Sequence, residues 1–134
     1  MRRLDTGLFL TGLGLYKARA ARGQVLEHDG IERNISMPLA LSVVVPVKDE
    51  EENVGPLAHE IAKAIANEGD AEIIFVDDGS SDATALALKT LKAEIPSLRV
   101  IQHGRNIGQS RAIRTGVRAA RSEIIVTLDG DGQN

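Results

Sequence analysis

The chain has no cysteine and no tryptophan, one tyrosine and two phenylalanines. Without cysteine there is no disulfide scaffold, no zinc–thiolate site and no thiol nucleophile. Aromatics make up only 2% of the residues, so the core has to be aliphatic, and the 43% hydrophobic content is ample for that. No run approaches the ~18–20 apolar residues of a membrane-spanning helix. The nearest, residues 8–16, follows Arg2 and Arg3 and precedes Ala18-Arg19-Ala20, which faintly outlines an export signal. Asp5 inside the basic end and Lys17 directly after the apolar run argue against export, and a disordered leader over residues 1–40 is expected instead. Charge of either sign is in no great excess. The net is −3; residues 1–40 hold six Lys/Arg against four Asp/Glu (+2), and residues 41–134 hold ten against fifteen (−5). That balance argues against nucleic acid as the main partner, and a mildly acidic body suits a site that recruits a cation. A length of 134 residues allows one domain at most.

What is present begins near Met37-Pro38. Leu41-Ser42-Val43-Val44-Val45 reads as a buried strand ended by Pro46. Val54, Leu57, Ile61 and Ile65 recur at helical spacing, with Pro56 in the first turn and Gly69 as the stop. Residues 73–76 form a second strand, and Gly79-Ser80-Ser81 turns the chain. Asp82 is placed to cap a helix carrying Ala85, Leu88, Leu91 and Ile95. A weaker strand over 98–101, a third helix over 109–121 and a strand over 124–128 complete the pattern. Strands alternating with helices predict an α/β fold with a mostly parallel, Rossmann-like sheet and helices on both faces. Ligands then sit outside the carboxyl ends of the strands. Three polar clusters fall there: residues 46–50, 77–82 and 129–133.

Asp129-Gly130-Asp131 follows a strongly apolar strand. Two carboxylates one residue apart can turn to one hard cation, and Gln133 adds a neutral oxygen at the next alternate position. A calcium loop is the weaker reading, because Asn134 stands where such a loop has glycine and a strand precedes it. Asp77-Asp78 ends another strand, where a carboxylate can accept from a base N–H or a ribose hydroxyl. The plainer reading is that Asp78 and Ser80 organise the turn. Asn106 or Ser110 can cap the third helix, whose amino terminus can face an anion. Arg111, Arg114, Arg118 and Arg121 fall in one arc opposite Ile113, Val117 and Ala120, which is a solvated face, with Arg111 and Arg114 nearest the ligand edge. His28, His59 and His103 lack metal spacing and read as surface or core residues.

From residue 41 onward the sequence resembles the amino-terminal half of a family 2 glycosyltransferase, closest to the dolichyl- or polyprenyl-phosphate mannosyltransferase branch. The resemblance rests on VVVPVKDEEENV at 43–54, IIFVDDGSSDAT at 73–84, RNIGQSRAIRTG at 105–116 and VTLDGDGQN at 126–134. It implies the A-type nucleotide-sugar-binding fold, cut after its fourth strand. It also implies a donor site in which Pro46, Lys48 and Glu50 line the nucleoside pocket and Val76 and Asp78 meet the base or ribose. Asp129, Gly130 and Asp131 would meet the sugar diphosphate, with Asp129, Asp131 and Gln133 around Mg²⁺ or Mn²⁺. The implied reaction moves a hexose from GDP-mannose or UDP-glucose to a lipid-phosphate acceptor at the cytoplasmic side, with membrane contact only through parts outside these residues. Family members often carry Tyr-Asn where this chain has Lys48-Asp49, and Gly130 and Gly132 replace a frequent Ala and Leu. The acceptor groove and any general base follow the Asp-x-Asp in this family, so these 134 residues alone are expected not to catalyse transfer. The alternatives are a polysaccharide-building family 2 enzyme, a Mg²⁺-binding receiver-like module, and a non-catalytic nucleotide-sugar-binding fragment.

Overall fold

The computed structural model describes residues 39–130 in full and, before them, the backbone of β1 (Arg2–Arg3), β2 (Phe9–Leu10) and β3 (Gly14–Ala18). These three strands fall within the segment expected as a disordered leader, and the rest of residues 1–38 lies outside the described residues. The body runs β4 (Leu41–Val47), α1 (Val54–Ile65), β5 (Ala71–Asp77), α2 (Thr84–Glu94), β6 (Leu98–Gln102), α3 (Gln109–Ala119) and β7 (Ile124–Thr127). The main sheet has the order β3-β7-β4-β5-β6. Strands β7, β4, β5 and β6 are parallel, and β3 joins β7 antiparallel.

The parallel register explains the apolar runs. Side chains alternate between faces, so β4 and β5, covered on both, must be apolar at nearly every position. Val43, Val45, Ile73 and Phe75 pack under α1 and α2 in the larger core cluster, which also takes Leu57, Ile61, Leu88 and Leu91. Val44, Ile74 and Val76 face the other way and meet Ala112 of α3 in a second, thinner cluster. Phe75 is fully buried and is the largest side chain in the core, which is how a chain so poor in aromatics fills its centre.

Two expectations are corrected. Pro46 does not end its strand, which continues through Val47. Like Val44, whose carbonyl accepts the Leu128 N–H, Pro46 faces the β7 side. The β7 ladder ends there, so the missing N–H of proline leaves no ladder bond unmade. The third helix stops at Ala119, and Ala120 is extended, so Arg121 leaves the arc of the other arginines. The buried face of that helix is Ala112 and Gly116 rather than Ile113 and Val117. Small residues are needed there because a Cβ on Gly116 would lie 2.3 Å from Val44 Cγ1.

Candidate functional site

The carboxyl ends of β4, β5 and β7 open on one cleft of about 450 Å³, within the usual range for small-molecule sites. Pro46, Val47, Lys48 and Glu50 come from the β4 end, and Asp78 from β5. Asn106, Gly108 and Gln109 come from the entry to α3, and Asp129 and Gly130 from the β7 end. Six residues expected at the donor site, Pro46, Lys48, Glu50, Asp78, Asp129 and Gly130, are thus brought together. Val76 is not among them: its side chain is fully buried beneath α3. Asp131 and Gln133 lie outside the described residues.

The loops around the cleft are laced by side chains of the acidic clusters. Asp49 adopts a left-handed backbone with φ of 52°, a conformation aspartate tolerates better than most residues. Its N–H donates to Ser80 Oγ at 2.9 Å, and its Oδ1 receives the Ser81 N–H at 2.7 Å. Asp77 Oδ1 receives the Ser80 N–H and hydroxyl, at 3.0 and 2.5 Å. The cap position of α2 is Ala83 rather than Asp82, and Asp82 Oδ1 receives the N–H of Thr84 at 2.9 Å. Thr84 in turn accepts the Glu50 N–H at 2.9 Å. Much of the Asp-Asp-Gly-Ser-Ser-Asp segment therefore builds the loops that frame the cleft.

Asp78 does this most fully. Its Oδ1 receives the Ile107 N–H at 3.0 Å and lies 2.9 Å from His103 Nδ1, and its Oδ2 receives the Gly108 N–H at 2.9 Å. Burial pushes its carboxyl up, and the bonds from His103, Ile107 and Gly108 outweigh that and hold it below its ordinary value. The entry to α3 is thus held by the carboxylate that directly follows β5, while neither Ser110 nor Asn106 makes a side-chain cap at Gly108. Asn106 does accept the Gly108 N–H, at 3.2 Å.

At the far wall, Gln109 Nε2 donates to Asp129 Oδ1 at 3.1 Å. A Cβ on Gly130 would lie 2.5 Å from the Pro46 carbonyl oxygen and 2.4 Å from Val47 Cγ1, so the turn after β7 presses against the end of β4. With Lys48 against Glu50, Asp78 and Asp129, the cleft carries a formal excess of negative charge. Among the described residues no three acids or histidines cluster as a metal site. Sequence reasoning missed Gln109 and Asn106 as wall residues. Their place at the entry of a helix that starts on the ligand edge was the available signal.

With the geometry in hand, the profile of glycosyl transferase family 2 matches residues 42–134. The chain belongs to glycosyl transferase family 2. Dodecaprenyl-phosphate galacturonate synthase of Rhizobium johnstonii is 45% identical over 98 residues, covering 72% of this chain and 29% of that protein. Undecaprenyl-phosphate 4-deoxy-4-formamido-L-arabinose transferase of Pectobacterium carotovorum is 42% identical over 97 residues, covering 70% and 29%. The chain therefore spans under a third of the length of these relatives. Among solved structures, a mannosyltransferase of Pyrobaculum calidifontis in complex with GDP-Man and Mn2+ superposes with a TM-score of 0.62 at 25% identity, covering 68% of this chain and 27% of that one. TarS of S. aureus in complex with UDP-GlcNAc gives 0.58 at 25% identity, covering 68% and 26%. The fold is the A-type α/β fold of such glycosyltransferases, as expected. Family membership displaces the receiver-like alternative.

Proposed function

We propose that this family 2 chain is the donor-binding part of a cation-dependent transferase that moves a sugar from a nucleotide-diphosphate sugar to a polyprenyl-phosphate acceptor. The observation that carries the reading is the meeting of Lys48, Glu50, Asp78 and Asp129 in one cleft at the carboxyl ends of the parallel strands. Lys48, Glu50 and Asp78 bind the nucleoside side, and the wall from Asn106 to Gln109 closes it. A cleft with this excess of carboxylate repels a bare diphosphate, so the anion enters with a cation. Asp129 suits that role: Gln109 occupies one oxygen and leaves the other for a ligand. Asp131 and Gln133 are the remaining ligands proposed, for Mg²⁺ or Mn²⁺. A divalent ion held there supplies charge neutralisation on the departing diphosphate.

The lipid-phosphate acceptor is favoured over a polysaccharide hydroxyl by the names of the two relatives reported above. A phosphate oxygen is already nucleophilic, so this reading asks for no general base within these residues. The relatives are named for galacturonate and for 4-deoxy-4-formamido-L-arabinose, so nucleotide-linked uronic acids and amino sugars join GDP-mannose and UDP-glucose as donors to test. Among the described residues no helix is long and apolar enough to cross a membrane. A place at the cytoplasmic face of a membrane is part of the proposal.

Calorimetric titration of the chain with UDP and with GDP, with and without Mn²⁺, tests the reading. Binding of one nucleotide is expected only with the cation, and Asp129→Asn should weaken it at least about tenfold, the scale of losing one charged contact. Binding indifferent to chelation and to Asp129→Asn would refute it.

A further inference from the structure

We propose that His103 is a positioning residue of the cleft: it fixes the Asp78 carboxylate and, through it, the segment 105–108 that forms one wall. The inference rests on the cleft being the nucleotide site proposed above. His103 follows β6 and its side chain is 12% exposed, against 5% for Asp78. Nδ1 lies 2.9 Å from Asp78 Oδ1, and Nε2 lies 2.9 Å from Thr115 Oγ1 in the middle of α3. The backbone is tied as well, since the His103 N–H donates to the Asp77 carbonyl at 2.8 Å.

The donors and acceptors can be counted. The Thr115 hydroxyl lies 2.9 Å from both Nε2 and the Arg111 carbonyl, within reach of the ring and of its own helix backbone. The Asp78 carboxylate already receives two backbone N–H groups and can only accept from Nδ1. Nδ1 thus donates to the loop-holding carboxylate, and Nε2 pairs with the hydroxyl of the helix that the loop enters.

Those contacts form one connected path to the diphosphate end of the cleft. Thr115 and Asp78 hold the ring, and Asp78 holds Ile107 and Gly108. Gly108, at φ of 106°, delivers the chain into α3 at Gln109, which donates to Asp129. His103 is not among the residues lining the cleft. It acts through Asp78, which is why no metal or catalytic spacing marks it in the sequence.

Single substitutions separate the two ring nitrogens. Asparagine places its amide nitrogen where Nδ1 sits, and glutamine places its own nearer Nε2. In the 134-residue chain, His103→Asn should keep the hydrogen-exchange protection of the Ile107 and Gly108 amides and bind UDP or GDP with Mn²⁺ within about threefold of the parent. His103→Gln should lose about tenfold or more in both, the scale of one charge-assisted hydrogen bond. A role in packing alone would not rank these two amides. Equal behaviour of the Asn and Gln variants would overturn the proposal, as would retained protection of both amides in His103→Leu. If His103→Leu fails to fold, the Asn and Gln pair still decides. If the parent binds neither nucleotide, the reading of the cleft falls, and the amide protection alone judges His103.

Discussion

Replacing Gly79 by alanine asks whether the loop carrying Arg105 and Asn106 rests directly on the turn after β5. Gly79 has φ of 70°, and a Cβ there would lie 2.4 Å from both the Arg105 carbonyl carbon and the Asn106 nitrogen. Both are backbone atoms and cannot rotate away, so the loop must retreat by about 1 Å to reach ordinary contact. An L side chain in the left-handed region costs about 1–2 kcal/mol, and overpacking adds about 1–3 kcal/mol. A combined loss of about 2–5 kcal/mol should lower Tm by about 10 °C or more in a domain of this size. The retreat also carries Asn106 and Gly108 out of the cleft wall, so nucleotide affinity should fall along with stability. Gly55 is the internal control. It lies in α1, nothing stands within 4 Å of its Cβ position, and Gly55→Ala should stabilise by up to about 1 kcal/mol through helix propensity alone. Urea melts of the two variants, with nucleotide titration of each, give the comparison. A Gly79→Ala protein with the parent's midpoint and affinity would refute the close approach and the wall built on it.

Other consequences concern the opposite end of the sheet and the core. Glu72 is 3% exposed and receives the Ser42 hydroxyl, the Arg99 guanidinium and the Arg121 N–H, each at 2.7 Å. Burial pushes its carboxyl up, and these three donors outweigh that and hold it low. A lowered carboxyl stabilises the fold fully above its unfolded value of about 4 and loses that contribution as pH falls through the folded value. Stability should therefore drop steeply below about pH 4, with Asp78 acting in the same direction. Glu72→Gln should be less stable at pH 7 and flatter towards acid, as thermal melts across pH would show. Phe75→Ala should cost about 3–5 kcal/mol by denaturant titration, since the ring is fully buried. Leu86 is 67% exposed, and Leu86→Gln should change stability by no more than about 0.5 kcal/mol.

The periodic features of this protein were legible in the sequence because they are local. Apolar runs at 41–45 and 73–76 mark strands covered on both faces, and Val54, Leu57, Ile61 and Ile65 mark the buried stripe of α1. Alternation of strand and helix implies a parallel sheet, and a parallel sheet puts the ends of β4, β5 and β7 on one edge. The convergence of Lys48, Glu50, Asp78 and Asp129 was therefore foreseeable from order alone.

What only the tertiary structure decided depends on partners far apart in the chain. Pro46 continues its strand because the neighbouring ladder has already ended, a fact about β7 some eighty residues later. Val76 turns into the core because of the face that α3 covers, and Gly116 is required because that helix lies against Val44. His103 looked like a stray histidine, since its partners Asp78 and Thr115 are 25 and 12 residues away, just after β5 and within α3. Spacing within a segment records which side chains share a face. It carries no record of what stands opposite that face, and packing and hydrogen bonding across the sheet settle that.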